Sequence, residues 1–597
     1  MKASRTLILI GVALIAVFVL LRVFGPDAEK KPAPAGSADP AGSAAADGSS
    51  ASSGSVEPSG QGEYDGDMPR FSRIVYRRPD LDGITADYEE LIEALGGEGL
   101  SVPSVVARLE QLYAEYDEFC TMSVVAELRW YHDVTDEFYA DECDWFLEHD
   151  PVMDQLFESL CAACANCEIA EELDEQFWGG WVVDAYQGED SATLDPDFVA
   201  LMQKENEIIA EYRRASSDPT VRWKGKERSF WALQEDDSLS EADWEEVRSL
   251  YYDKYAPILG EIYLRLLAVR QELADYLGLD SYEEYAYLAL YSRDYGSEQA
   301  ERLLEAIRQE LAPLYGELDL NRRWEALRYT ELSEEENLDA IYTAARQMGG
   351  VVRSAYADME RYELCDIAVS EKKGNLSYQT YLYSFDNPYA FVKTEGYSDD
   401  ILSFGHEFGH FVDAWYNRNA TDSHDLSEVF SQGMEYLLLS YVPEKYREEL
   451  REYKLLDAVD TFTEQGSYAE FEHRVYARPA SEWTVEALNE LSLELARDYG
   501  YFQAGDEEFY AKSWIDVTHL FEQPFYVISY CVSNVPAMEI YGLEQAEAGA
   551  GLDAWNRLLP REKDGFLETV MDQGELHDPF DADQMRQIAA LIREKLQ

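Results

Sequence analysis

The sequence predicts a mainly α-helical body with a small β-sheet just ahead of one motif-bearing helix. Three observations point there. Apolar residues recur at three- and four-residue spacing almost throughout the chain beyond Met68. The strong β-patterned stretches are confined to Leu376–Thr394. With 46% apolar and 13% aromatic residues among 597, the chain can also bury a large core.

In chain order, Lys2 and Arg5 precede an apolar run from Thr6 to Leu21, which continues past Arg22 to Phe24. Residues 1–25 read as a signal anchor, or as a signal peptide if the small-residue stretch Ala33–Ala35 is cut. The first expectation is a membrane-anchored chain with an extracytoplasmic body, the second a secreted one. Residues 26–66 are rich in Gly, Ser, Ala and Pro and read as a flexible tether. A helical N-terminal lobe is expected over 67–200 and a second, larger region over 201–597.

Within these, "ADYEELIEALGG" has helical spacing and ends on glycines, a common helix stop. Ala126–Pro151 and Asp253–Leu279 read as longer amphipathic runs. In "LSYQTYLYSF", Tyr378, Thr380 and Leu382 alternate with Gln379, Tyr381 and Tyr383, as a half-buried strand would; "PYAFVKT" supplies a second strand.

The charge balance narrows the partners. The chain carries 119 Asp and Glu against 49 Lys and Arg, a formal charge of -70. Such a surface repels phosphate backbones, which excludes nucleic acid. It reads as a solvated acidic face, or more sharply as a preference for basic peptides. Cys120, Cys143, Cys161, Cys164 and Cys167 cluster, with Cys365 and Cys531 far off. A disulfide among the first five or plain buried thiols on helices are the two expectations.

Chemistry concentrates in "SFGHEFGHFVDAW", Ser403–Trp415, expected to lie on one helix from "YSDD" to Asn417. Ser398, Asp399 or Asp400 can cap its start. Phe404, Phe408, Phe411 and Trp415 form an apolar stripe, and His406 and His410 share a different face. Gly405 and Gly409 leave room for another element to come close. H-E-x-x-H is the pattern of zinc hydrolases: imidazoles at i and i+4 reach one ion, and the glutamate between them can act on water. Zinc catalysis needs a third protein ligand. Glu428, 18 residues past His410, stands on an apparent second helix with His424, Asp425 and Glu435 as competitors.

Together with these motifs, "EVFSQ" at Glu428–Gln432, "THLFEQPFYVISY" at Thr518–Tyr530 and "DVTDEFYADECDWF" at Asp133–Phe146 resemble the oligoendopeptidase F branch of the thimet-oligopeptidase family of zinc metallopeptidases. The resemblance spans roughly Thr121 to Tyr541. It departs from the family in a short spacer between His410 and Glu428, and in Asp413 where a further histidine is common. It implies a two-lobed helical metallopeptidase body with a deep channel and a small β-sheet beside the zinc-site helix. It also implies one Zn2+ per chain on His406, His410 and Glu428, a metal-activated water with Glu407 as general base, and His519, Tyr526 and Tyr530 as candidates for stabilising the oxyanion. The expected activity is internal cleavage of short peptides. Dipeptidyl carboxypeptidase or carboxypeptidase action, or an inactive membrane-tethered peptide-binding protein, are the alternatives.

Overall fold

The computed structural model describes residues 68–186, 196–217, 219–234, 236, 238–419, 423–561, 563 and 565–596. The chain is mainly helical, with one small sheet and one hairpin among those residues. The helices that position the site are α1 (Leu81–Leu95), α2 (Val102–His132), α3 (Glu137–Ala165), α4 (Pro196–Ser216), α5 (Glu241–Leu277), α6 (Asp400–Asn417), α7 (His424–Tyr441), α8 (Glu444–Asp460), α9 (Gly466–Tyr476), α10 (Thr518–Glu522) and α11 (Ile528–Ala546).

The run expected to continue from Ala126 to Pro151 is broken. Asp136 turns its carboxylate onto the backbone N–H groups of Phe138 (3.0 Å) and Tyr139 (3.3 Å), so it caps a new helix, α3, rather than continuing α2. The run around Asp253–Leu279 belongs to α5. A Ser240–Asp243 capping box starts that helix, and Gly278 stops it in the left-handed region at φ 69°.

Strands β1 (Thr220–Trp223) and β2 (Lys226–Ser229) form a hairpin that the sequence reading missed. Its signals are weak but present: Val221 and Trp223 are buried on one face, and Lys224 and Gly225 both take positive φ in the two-residue turn. The three-stranded sheet has the order β3-β5-β4, from Cys365–Asp366, Asn387–Phe391 and Tyr378–Leu382. Its β4–β5 pair is antiparallel, with Tyr378 opposite Phe391 and Leu382 opposite Asn387. The two-residue β3 runs parallel to β5 and was too short to read. Alternation along β4 is imperfect, since adjacent Tyr381 and Leu382 are both buried.

The sheet lies between the N-terminal helices and α6. Ser384 N–H donates to Thr121 Oγ1 of α2 at 2.8 Å, and His132 Nδ1 at the end of α2 lies 2.7 Å from Asp366 Oδ2 of β3. Lys373 is fully buried and donates to Asp366 and to the carbonyl of Val392, tying the loop back to the sheet. On the other side α6 packs on β5 and β4, and α7 lies between α6 and α11.

One expectation changes here and another is decided. The membrane-anchored, extracytoplasmic placement is withdrawn: no helix among the described residues is long and apolar enough to cross a membrane. The longest, α5, carries acidic and basic residues along its whole length, which hydrocarbon would not tolerate. The anchor expected at 1–25 and the tether at 26–66 lie outside the described residues. The cysteine cluster takes the thiol form, with Cys143, Cys161, Cys164 and Cys167 unbridged and burial pushing the Cys161 and Cys164 thiols upward.

Candidate metal centre

Helix α6 begins with a turned-back carboxylate rather than a conventional cap. Asp399 at the cap position makes no side-chain cap bond. Asp400 instead accepts from the backbone N–H of Glu395 (3.0 Å), Gly396 (2.7 Å) and Tyr397 (3.0 Å), fixing the chain's entry from the sheet. From there the apolar stripe works as expected: Phe404, Phe408 and Phe411 are buried. His406 and His410 lie one turn apart with ring centroids 5.0 Å from each other.

The glycines set how closely α7 approaches. A Cβ on Gly409 would stand 2.4 Å from the Phe430 carbonyl oxygen and 2.6 Å from Ser431 Cα, so the two backbones touch there. A Cβ on Gly405 would meet only the tip of the Leu438 side chain, at 2.2 Å.

That contact places the second turn of α7 against the histidines. Glu428 Oε2 lies 3.6 Å from His406 Nε2 and 3.9 Å from His410 Nε2, and one donor atom from each of the three residues falls within 4.8 Å of the others. Zinc bonds of about 2.0–2.2 Å in tetrahedral array separate donors by roughly 3.3–3.6 Å, so this cluster fits that ion with a slight contraction. Both imidazoles are also oriented for it. His406 Nδ1 pairs with Glu435 Oε1 at 2.8 Å and His410 Nδ1 with Ser427 Oγ at 3.0 Å, leaving each Nε2 toward Glu428. Glu435 is in turn held by Lys454 (2.7 Å), which is buried and also paired with Asp457 (2.8 Å).

Electrostatics separate the two histidines. Burial pushes His410 down to about 4. Burial acts the same way on His406, but the Glu435 hydrogen bond and the charges of Glu435, Glu428 and Glu407 outweigh it and lift that ring to about 9. Glu407 is buried next to them; burial raises its carboxyl to about 7, with His406 lowering and Glu428 and Glu435 raising it. A carboxyl that exchanges its proton near neutrality is suited to general-base work. Burial also raises Glu428, but the two histidines and the hydroxyls of Ser431 and Tyr526 hold it below the usual range.

The C-terminal motif comes to the same place. The Tyr526 hydroxyl donates to Glu428 Oε1 at 3.1 Å. The His519 ring stacks on Tyr526, with centroids 5.5 Å apart, and His519 Nε2 lies 3.5 Å from the Tyr530 hydroxyl. The preceding residue, Phe525, sits at φ 65°, a left-handed conformation that costs a non-glycine residue about 1–2 kcal/mol.

The competitors for the third position are occupied elsewhere. Asp425 is buried against Arg293, 3.4 Å away, and accepts from the Tyr295 hydroxyl at 2.9 Å. His424 packs edge-on to Tyr291 and Tyr526. Glu435 backs His406, as above. Asp413, where a further histidine is common, is ion-paired with Arg561. Sequence reasoning missed Ser427, Lys454, Arg270, Arg293 and Glu472. Only Lys454 left a signal, as a lone cation in the apolar "KLLDAV" of α8.

Comparison with known proteins agrees with this architecture. Residues 71–185 match the peptidase M3 N-terminal domain. Oligopeptidase PepF of Bacillus subtilis (strain 168) is 23% identical over 294 residues, which span 44% of this chain and 43% of that relative's length. Over residues 71–185 the chain is similar to the peptidase M3 N-terminal domain, and over less than half its length to an oligopeptidase of the PepF type.

Solved structures of several peptidases carry the same fold. A chain assigned provisionally as oligoendopeptidase F superposes with a TM-score of 0.69 at 21% identity, covering 88% of this chain and 98% of that one. PZ peptidase A with an inhibitor gives 0.69 at 20% identity, covering 88% and 99%. Oligoendopeptidase-F from Enterococcus faecium gives 0.55 at 14%, covering 87% and 97%.

Proposed function

We propose that this chain is a zinc-dependent oligoendopeptidase of the peptidase M3 family that hydrolyses internal bonds of short peptides. The observation that carries the reading is the convergence of His406 Nε2, His410 Nε2 and Glu428 Oε2 beside the buried Glu407 carboxyl. His406, His410 and Glu428 would hold one zinc ion, which when bound supplies Lewis-acid polarisation of water and of the scissile carbonyl.

The remaining chemistry belongs to the chain's own groups. Glu407 accepts the proton of the attacking water and returns it to the leaving amine. Glu435 and Ser427 hold the two imidazoles in the tautomer that presents Nε2. Tyr526, Tyr530 and His519 supply O–H and N–H donors to the developing oxyanion. The Tyr526 hydroxyl rests on Glu428 and would turn its single O–H proton from that carboxylate to the oxyanion as charge develops there. We assign the catalytic groups to the region 201–597, with 67–200 as a helical lobe beside it.

The purified protein is expected to cleave an end-blocked peptide internally, to lose that activity to a chelator and regain it with zinc, and to lose it as Glu407→Ala with zinc still bound. Mass spectrometry of the products separates this from release of one or two residues at a free C-terminus. Full turnover by the Glu407→Ala protein would sink the mechanism, and an absence of cleavage with zinc bound would point to a peptide-binding protein.

A further inference from the structure

The segment between α10 and α11 presents Tyr526 from a backbone that three distant side chains grip. Phe525 N–H donates to Glu472 Oε1 of α9 at 2.8 Å. The Phe525 carbonyl accepts from Arg293 Nη2 at 2.9 Å, and the same nitrogen donates to Ser529 Oγ at 2.7 Å. The Pro524 carbonyl accepts from the Tyr291 hydroxyl at 2.9 Å. Just upstream, Arg270 of α5 donates to the carbonyls of Leu520 (3.2 Å) and Phe521 (2.6 Å), on the helix that carries His519.

None of this belongs to the donor cluster itself. Both arginines are fully buried, and each has its own carboxylate: Glu205 of α4 for Arg270 (2.6 Å) and Asp425 of α7 for Arg293 (3.4 Å). Burying a charged guanidinium is costly unless further hydrogen bonds satisfy its remaining protons, and for both arginines such bonds go to main-chain carbonyls of this segment. What they hold is a turn with a non-glycine residue at φ 65°. Such a conformation persists only where the surroundings over-determine it, and the residue immediately after it is Tyr526.

We infer that Arg293, Glu472 and Arg270 are positioning residues, a frame that locks the Phe525 turn and thereby fixes the Tyr526 hydroxyl on Glu428. The frame draws on α5, α9 and the Tyr291–Arg293 loop, so the hydroxyl is aimed by elements other than the two helices that carry the donor cluster. Its consequence for turnover rests on the reading that Tyr526 acts at the metal centre; its consequence for where Tyr526 sits does not.

The test uses the full chain with 3-fluorotyrosine at position 526, observed by fluorine NMR, alongside kcat and KM on one peptide. Glu472→Gln keeps an acceptor for Phe525 N–H, and Glu472→Leu removes it. The glutamine protein is expected to keep the native resonance. In the leucine protein the line shifts or splits, kcat falls about tenfold or more, and KM stays within about twofold, because misplacement by about an ångström acts mainly on the transition state. Bound zinc should be equal in both. Arg293→Lys, whose ammonium ends one bond short of Nη2, the nitrogen that holds both Phe525 O and Ser529 Oγ, should shift the line in the same way. If either variant fails to fold, Tyr291→Phe removes only the hydroxyl on Pro524 O and carries the same readout. An unmoved resonance in the folded variants overturns the proposal. A moved resonance with unchanged kcat upholds the frame and instead removes Tyr526 from the proposed chemistry.

Discussion

Replacing Glu435 by Gln tests whether the carboxylate behind His406 tunes the proposed zinc site. In the wild-type protein Glu435 Oε1 sits 2.8 Å from His406 Nδ1 while Oε2 is 2.7 Å from Lys454. Hydrogen bonds to a charged group contribute about 1.5–3 kcal/mol and neutral ones about 0.5–1.5 kcal/mol. The amide keeps the bond but loses the charge, so the donor is weakened by about 1–1.5 kcal/mol, close to tenfold in zinc affinity. Lys454, neutralised then by Asp457 alone, adds repulsion toward a dication and moves the loss toward the upper end of the ten- to hundredfold range seen for such partners. Ser427→Ala removes only a neutral bond behind His410 and should cost about threefold to tenfold. Competition against a fluorescent chelator at fixed pH gives both affinities, and circular dichroism of the metal-free proteins checks that each is folded. Equal affinity of Glu435→Gln and wild type, or a larger loss from Ser427→Ala, would refute the reasoning.

Three further outcomes are expected. Gly409→Ala drives a methyl into the Phe430–Ser431 backbone and should destabilise the fold by about 1–3 kcal/mol and loosen zinc, whereas Gly405→Ala, which meets only the end of Leu438, should cost clearly less; urea titration ranks the two, and equal costs would contradict the close helix contact. Asp400→Ala strands three backbone N–H groups ahead of α6 and should cost about 2–4 kcal/mol in the same assay; a loss below 1 kcal/mol would show that water replaces them. Burial raises the Glu472 carboxyl to about 8 from an ordinary 4.5, so between those values the folded chain holds a proton that the unfolded chain has released, and the wild type loses stability as pH rises through that window. The permanently neutral Glu472→Gln should therefore gain on the wild type from pH 5 to 8, by at most about 1.4 kcal/mol per pH unit, and parallel stability curves would show that Glu472 ionises freely.

Much of the centre was legible because it is local. The Phe404–Phe408–Phe411 stripe and the His406–His410 spacing are properties of one helix, and periodicity states them directly. Glu428 was harder, since four acidic or basic residues on α7 shared the motif's vicinity; only tertiary packing separates the one beside His406 from the one behind it. The break between α2 and α3 escaped because both halves are amphipathic and the short polar link at Asp133–Asp136 is outweighed in any long window. The β1–β2 hairpin escaped because a four-residue strand with charged neighbours has little alternation to read. The frame around Phe525 was unreadable in principle: Arg293 and Phe525 are more than two hundred residues apart, and nothing in either neighbourhood announces the other.

The backbone contact at Gly409 also bears on how far the fold would depend on the proposed ion. In small zinc domains the metal is the fold's keystone, and removal unravels the chain. Here the spacing between the two histidines and Glu428 is set by a van der Waals stop between two long, buried helices that are anchored on the sheet and on α11. The spacing of the donor array would therefore not depend on an ion. If zinc binds there as proposed, it would stabilise the protein only by mass action, in proportion to the logarithm of its concentration over its dissociation constant. Stripping the ion should leave an intact body, ready to be reloaded with cobalt or manganese for spectroscopy without a refolding step.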